Sequence, residues 1–191
     1  GMKKILIGTH NEGKFKEIAY LLPKKIQKIS PTVLKIKSPK ETGKSFISNS
    51  KLKARYFSRF VNYPVISDDS GLCIKALKNQ PGIYSARLAK KNGGFFNAMK
   101  IILKKMKKKR NRLAYFVCCL TFKDKKKIIS VEGKLKGYIS LKILGKKGFG
   151  YDPIFIPLNK KVTFGQMSKY KKIKMDHRFI AFKKLRKKIK I

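Results

Sequence analysis

The 191-residue chain carries 50 Lys and Arg against 9 Asp and Glu, a formal net charge of +41, and 42% of its residues are hydrophobic. These values predict a globular protein with a buried core, which we take as one domain over residues 2–191. Since no apolar run approaches a membrane span or a signal peptide, we expect a cytoplasmic protein without a membrane partner. Three cysteines without a C-x-x-C spacing argue against a disulfide framework and a zinc site.

The first half of the chain predicts two helices and two strands. Residues 4–8 are predicted as a buried strand. A helix follows, ending before Pro23, with apolar residues at helical spacing: Phe15, Ile18, Ala19 and Leu22. A second helix is predicted from Ser45 to about residue 61, and a short buried strand over residues 64–67.

The second half predicts a helix, a hairpin and a final helix. The helix covers about residues 95–108, with inward-facing residues Phe96, Met99, Leu103 and Met106. Two long strands, residues 113–123 and 128–140, are joined by a polar turn and are typical of an antiparallel hairpin. The final helix begins near Asp176. This order of elements predicts a mixed α/β fold with a central sheet flanked by helices.

The excess of basic residues permits nonspecific affinity for any polyanion. Lysines outnumber arginines 43 to 7, however, whereas sites that recognise phosphates and base edges favour Arg. The lysines are spread over every segment, and the one dense block, residues 104–112, lies at the end of a predicted helix. We therefore expect no specific nucleic-acid partner, and a nucleic-acid-binding protein is the alternative from another functional class.

Asp68 and Asp69 are the most informative residues, because acidic residues are rare in this chain. They follow a predicted strand, and Ser70-Gly71 is predicted as the turn after them. Side chains at a strand end face the crevice where open α/β sheets bind ligands. Such a pair is suited to holding a divalent metal or activating a water. The structural alternative is a turn cap and a lysine ion pair.

Residues 9–14, T-H-N-E-G-K, form the predicted loop between the first strand and the first helix. A glycine-containing loop at this place presents backbone N–H groups and a helix N-terminus to an anion, and Lys14 adds a positive charge. The Walker pattern is absent. The loop is therefore compatible with a phosphate site, but its pattern is not specific for one.

Further motifs follow in the chain: E-T-G-K-S-F at 41–46, S-D-D-S-G-L at 67–72, P-G-I-Y-S-A-R at 81–87, G-F-G-Y-D-P-I-F at 148–155 and H-R at 177–178. In this order and spacing they resemble the inosine triphosphate pyrophosphatase family over essentially the whole chain. The resemblance implies hydrolysis of noncanonical purine nucleoside triphosphates (ITP, dITP, XTP) to the monophosphate and pyrophosphate, which cleans the nucleotide pool. It also implies Mg²⁺ as cofactor, a cytoplasmic homodimer, and a nucleotide cleft between two lobes.

Matched motif by motif, the resemblance implies residue roles. Glu41 and Asp69 would bind the metal, Asp69 would also be the general base, Asp68 would support it, and Ser70 would contact substrate. The triphosphate would lie in the first motif: Thr9, His10, Asn11, Glu12, Gly13 and Lys14. The base would lie among Phe149, Gly150, Tyr151, Asp152, Lys172, His177 and Arg178. The residue types agree, because acids suit a metal, a basic loop suits phosphates and aromatic residues suit a flat ring.

Two departures from the family pattern stand out. Ser48 replaces a Glu of the usual F-x-E-N-A, so we expect weaker metal affinity. Tyr170 and Lys171 replace the acidic neighbours of the pocket lysine, Lys172. A Maf-type nucleotide pyrophosphatase is a further alternative, although its first loop has a different pattern. For residues 149–152 and for His177-Arg178 the structural alternatives are a hairpin turn and a helix start.

Overall fold

The computed structural model describes residues 2–191, and among them seven strands and six α-helices. The strands are β1 (Lys4–Gly8), β2 (Gln27–Ile29), β3 (Val65–Ile74), β4 (Gln80–Pro81), β5 (Leu113–Lys123), β6 (Ile128–Ile139) and β7 (Phe155–Pro157). The helices are α1 (Glu12–Leu21), α2 (Phe46–Ser58), α3 (Ser85–Lys91), α4 (Phe95–Met106), α5 (Lys169–Lys172) and α6 (His177–Arg186). Over these same residues, no helix has both the length and the apolar character needed to cross a membrane.

The strands form one mixed sheet in the order β2-β1-β3-β5-β6-β7, with β4 paired to β3. β1 runs parallel to β2 and β3, whereas β4 is antiparallel to β3 and β7 to β6. β5 and β6 are joined by a tight turn in which Asp124 N donates to Lys127 O over 3.0 Å. So short a connection joins only antiparallel strands. The predicted mixed sheet and the hairpin are both confirmed.

The chain divides into two compact units, each made of separate segments. Unit 1 contains residues 1–69, 118–133 and 178–191, and unit 2 contains residues 70–117 and 134–177. In unit 1, Ile5 and Ile7 of β1 pack in a core with α1 and α6, whereas Leu6 packs with Phe57 of α2. Because both faces of β1 are covered, its sequence is apolar at successive positions.

The core of unit 2 is a single cluster around Phe116, Phe155 and Phe164. The Phe116 and Phe155 ring centroids lie 4.3 Å apart, and those of Phe155 and Phe164 lie 5.6 Å apart. α4 contributes Ala98, Met99, Ile102 and Met106 to this core. The predicted inward position of Phe96 is wrong, because its side chain is 60% exposed.

The predicted end of the third strand is also wrong, because β3 continues without a break through Asp68, Asp69 and the expected Ser70-Gly71 turn. The first part of β3 pairs with β1, where Gly8 faces Ser67, and its last residues pair with β4, where Cys73 faces Pro81. Hydrogen bonds first to β1 and then to β4 satisfy the backbone N–H and C=O groups of β3 in an extended conformation. This tertiary pairing overrides the local turn preference of Ser70-Gly71. The acidic pair therefore lies in the middle of a strand.

Candidate active site

Asp68 and Asp69 point to opposite faces of the sheet, because side chains alternate along a strand. Asp68 lies on the face covered by α1 and α6, and its side chain is fully buried. Its Oδ1 lies 3.1 Å from Lys14 Nζ, and its Oδ2 accepts a hydrogen bond from Arg178 Nε over 2.8 Å. Burial alone would oppose ionisation, but Arg178 and Lys14 outweigh it and hold the pKa of Asp68 well below its ordinary value.

Asp69 lies on the α2 face together with Glu41 and Lys53. Lys53 Nζ lies 2.6 Å from Glu41 Oε1 and 3.6 Å from Asp69 Oδ1, and it donates to the Asp68 carbonyl over 3.0 Å. Asp69 is 5% exposed, and its Oδ2 is buried without a hydrogen-bond partner. We call Lys14, Glu41, Lys53, Asp68 and Asp69 the acid–lysine cluster.

The ionisation of the two acids on this face differs. Burial raises the pKa of Asp69 to about 7, with Lys53 and Lys14 opposing the rise and Glu41 adding to it. The pKa of Glu41 is lowered, because the positive charges of Lys53 and Lys14 and hydrogen bonds from Lys53 and Asp69 outweigh its burial. The Glu41 and Asp69 carboxyls interact, so they do not ionise independently. A cation bound between them would stabilise both in the ionised form.

These two carboxyls fit a divalent metal. The unpartnered Oδ2 of Asp69 and the adjacent Glu41 carboxylate are hard oxygen ligands of the kind that Mg²⁺ prefers. Among residues 2–191 there is no group of three or more His, Cys, Asp or Glu side chains that could hold an ion. A metal here would take its other ligands from water and from phosphate oxygens, as Mg²⁺ commonly does.

The loop that carries Glu41 is hydrogen-bonded to α2. Asn49, which is fully buried, accepts a hydrogen bond at Oδ1 from Gly43 N over 2.8 Å. A Cβ atom at position 43 would lie 2.4 Å from Ser48 Oγ and 2.6 Å from Asn49 Oδ1, so only glycine fits. The Ser48 side chain bonds Ser45 at the start of α2.

The loop after β1 is shorter than the predicted residues 9–14, because α1 begins at Glu12. Asn11 is the N-cap residue of α1, and its Oδ1 accepts from Lys14 N over 3.0 Å. Thr9 Oγ1 in turn accepts from Asn11 N over 3.1 Å. Gly13 and Lys14 therefore lie in the first helical turn, which projects Lys14 toward Asp68.

Two other residues of this motif have partners outside the acid–lysine cluster. The exposed Glu12 carboxylate forms an ion pair with Lys16 at 2.9 Å. His10 Nε2 donates to the Ile36 carbonyl over 2.7 Å, and its Nδ1 lies 2.6 Å from Ser38 Oγ. His10 therefore anchors the segment around residues 36–38.

The aromatic motif lies in unit 2. Asp152 Oδ2 accepts from Phe149 N over 3.0 Å and from Lys172 Nζ over 2.7 Å. Lys172 Nζ also lies 4.3 Å from the centre of the Phe149 ring. Asp152 therefore balances the positive charge of Lys172. The residues that precede Lys172 in the chain, Tyr170 and Lys171, carry no negative charge that could do so.

The backbone of this loop depends on glycine. Gly148 has φ 73°, and a Cβ there would lie 2.2 Å from Asp152 Oδ2. Gly150 also has a positive φ, of 62°. Tyr151 is buried, donates to the Ser85 carbonyl over 2.5 Å and packs edge-on against Phe95. Phe149 is half-buried, and its ring lies against the Lys172 ammonium.

The last motif and Ser70 are divided between the units. His177 lies in unit 2, with its ring stacked on Phe116 at 4.6 Å. Arg178 lies in unit 1, is 1% exposed, and bonds Asp68 and Glu17. Ser70 follows Asp69 in β3 and is half-buried. Arg178 is therefore a partner of Asp68 within unit 1.

Comparison with known proteins places the chain in a family. A family model described as Ham1 family matches residues 5–188. The chain belongs to the Ham1 family. It is 43% identical over 190 residues to the dITP/XTP pyrophosphatase of Dictyoglomus thermophilum, covering 95% of this chain and 92% of the relative. It is 38% identical to that of Caulobacter vibrioides, covering 96% of each.

Solved Ham1 structures have the same fold. The Staphylococcus aureus Ham1 protein aligns with a TM-score of 0.85 at 33% identity over 97% of each chain. A HAM1 protein from Coxiella burnetii aligns with a TM-score of 0.86 at 30% identity over 96% of each chain. The family resemblance seen in the motifs and the predicted fold class are confirmed.

Lys53 belongs to the acid–lysine cluster of this Ham1 chain, although none of the sequence motifs includes it. The sequence nevertheless held a signal for it. Lys53 lies on α2 at helical spacing with the buried Asn49, Ser50 and Phe57. A lysine on the buried side of a helix needs a partner for its charge, so its position predicts nearby carboxylates.

Proposed function

We propose that this protein hydrolyses noncanonical purine nucleoside triphosphates (ITP, dITP and XTP) to the monophosphate and pyrophosphate. The names of its relatives support the substrate class. The observation that carries the proposal is the contrast between the two acids of β3. Asp68 is engaged through both oxygens, whereas Asp69 Oδ2 is buried and unpartnered. Asp69 is therefore the acid able to accept a proton from water.

The acid–lysine cluster would bind the triphosphate in unit 1. Lys14 and Lys53 place two ammonium groups beside Asp68, Glu41 and Asp69. They would neutralise the phosphates and the departing pyrophosphate, while Asp69 takes the proton of the water that attacks the α-phosphorus. A divalent metal, which we propose is Mg²⁺ held by Glu41 and Asp69, would supply further positive charge to the phosphate oxygens.

The 148–152 loop with Lys172 would bind the base in unit 2. The Phe149 ring would stack on the purine, and the Lys172 ammonium, which donates to Asp152 and carries three N–H groups, would be a donor to the base. ITP and XTP have an oxygen at C6, whereas ATP has an amino group there. We therefore propose Lys172 as a donor for base selection and assign Arg178 to the support of Asp68. No described residue accounts for rejection of GTP, which shares the C6 oxygen.

Product analysis tests this function. The purified protein is given ITP, dITP, XTP, ATP and GTP, with Mg²⁺ or with excess chelator, and pyrophosphate and orthophosphate are measured separately. We expect Mg²⁺-dependent pyrophosphate release, with ¹⁸O from labelled water in the monophosphate and catalytic efficiencies for ITP and XTP well above those for ATP and GTP. Orthophosphate as the product, or equal efficiencies for ATP and ITP, would contradict the proposal.

The resemblance also leads us to propose a homodimer in solution. Sedimentation velocity across a range of protein concentrations tests it, and a single species at the 22.0 kDa mass of one chain would contradict it.

A further inference from the structure

Cys118 is a buried residue to which the proposed reaction gives no role. It lies beside Cys119 in β5, so the two side chains point to opposite faces of the sheet. Both are free thiols and fully buried. Cys118 Sγ lies 3.2 Å from Asp68 Oδ2, whereas Cys119 Sγ lies 3.8 Å from Glu132 Oε2. The two neighbours therefore form a natural pair for comparison.

The Cys118 contact is a donated hydrogen bond, because an ionised carboxylate only accepts. It joins two other donors, Lys14 and Arg178, that reach the Asp68 carboxylate from different elements. Lys14 comes from α1, Arg178 from α6 and Cys118 from β5. Cys118 and Arg178 share Oδ2, so the thiol restricts rotation of the carboxylate about its last torsion angle.

We propose that Cys118 is a positioning residue for the hydrolysis, which holds Asp68 in the orientation that places Lys14 for the triphosphate. This inference rests on the proposed function. The Asp68 carboxylate is a direct partner of Lys14. A change in its orientation would therefore move the Lys14 ammonium within the acid–lysine cluster. If Cys118 were only a small apolar residue of the core, its S–H bond would have no effect on turnover.

Four variants separate these roles: Cys118→Ala, Cys118→Ser, Cys119→Ala and Cys119→Ser. Only Cys118→Ala removes the donor to Asp68, so we expect it to lower kcat/KM for ITP about tenfold. Cys118→Ser retains an O–H donor and should stay within about twofold of wild type, as should both Cys119 variants. Thermal unfolding of all four shows whether they lose stability to a similar extent. Equal kcat/KM for Cys118→Ala and Cys119→Ala, or no rescue by a folded Cys118→Ser, would overturn the proposal.

Infrared spectroscopy tests the bond without using activity, because few other protein groups absorb in the S–H stretching region. The wild-type minus Cys118→Ala difference should show a band at lower frequency than the corresponding Cys119 band. In Asp68→Asn the Cys118 band should move to higher frequency while the Cys119 band stays. Coincident bands in the wild type would overturn the proposal. If wild type does not cleave ITP or XTP, the proposed function fails, and these bands still decide whether Cys118 bonds Asp68.

Discussion

At the scale of single residues, Asp69 is the acid with an unpartnered, buried oxygen. We expect Asp69→Asn to lower turnover of ITP on the order of 100- to 10,000-fold while the protein stays folded, because the amide is a very weak base. The measurement is kcat from pyrophosphate release, with circular dichroism to check the fold.

Asp124→Asn is the matched control for this change. Asp124 Oδ1 accepts from the backbone N–H groups of Lys126 and Lys127 in the β5–β6 turn, and an Asn oxygen can do the same. It should leave kcat unchanged. A rate for Asp69→Asn above about a tenth of wild type, far above the range for loss of a base, would remove Asp69 from that role.

Glu41 provides the second carboxylate proposed for the metal. Glu41→Gln keeps the shape of the side chain but removes its charge, so we expect a higher Mg²⁺ concentration at half-maximal rate and a smaller change in KM for ITP. Mg²⁺ titrations at fixed ITP measure this, with the exposed Glu132→Gln as control. Full wild-type activity in excess chelator would exclude a metal at this site.

At the scale of elements, α2 carries Lys53 and begins with a capping box. Ser45 Oγ accepts from Ser48 N, and Ser48 Oγ accepts from Ser45 N, both over 3.0 Å. We expect Ser45→Ala to lower the free energy of unfolding by about 0.5–2 kcal/mol. Urea unfolding measures it. Ser58→Ala, at the other end of α2, should cost less than about 0.5 kcal/mol, and an equal cost for both would contradict the capping role.

The same capping box explains how Ser48 can stand where the family pattern has Glu. Glu is the usual third residue of a capping box, and here a Ser side chain makes the bond back to the N-cap. Ser48→Glu should therefore preserve stability and leave the Mg²⁺ requirement unchanged. A lower Mg²⁺ requirement in Ser48→Glu would instead support the expectation from the sequence that a carboxylate at 48 contributes to metal affinity.

Elements differ in how well their sequences predict them. β5 and β6 are long and flank a polar turn; β5 is buried along most of its length and β6 alternates in burial, so their bounds follow closely from the pattern. The pattern predicts that β3 ends where Asp, Ser and Gly suggest a turn, because β1 and β5, its neighbours in the sheet, are distant in sequence. Short elements such as β7 and α5 contain too few residues to show a period.

At the scale of the whole molecule, the few acids are concentrated inside. Of the nine, seven are buried or half-buried: Glu17, Glu41, Asp68, Asp69, Asp124, Asp152 and Asp176. The surface therefore carries most of the lysines with little compensating charge. Such a surface repels itself, which destabilises the compact state.

Screening by salt should reduce this repulsion. We expect the melting temperature to rise as NaCl is increased from low concentration to about 0.15 M, where the Debye length falls to about 8 Å. For a protein of this size each kcal/mol corresponds to about 2–4 °C. Calorimetry measures it, with sucrose as an uncharged control at equal osmolality. A melting temperature that falls with NaCl would show that attractive pairs dominate over the net charge of +41.

The family, the mixed α/β class and the motifs that supply Lys14, Glu41 and Asp69 follow from the sequence, because they depend on local pattern and on residue order. Which side chains meet depends on the fold instead. Alternation along an unbroken β3 sends Asp68 to Lys14, Arg178 and Cys118, and Asp69 to Lys53 and Glu41. Those partners come from segments up to 110 residues away in the chain, and no local pattern records such contacts.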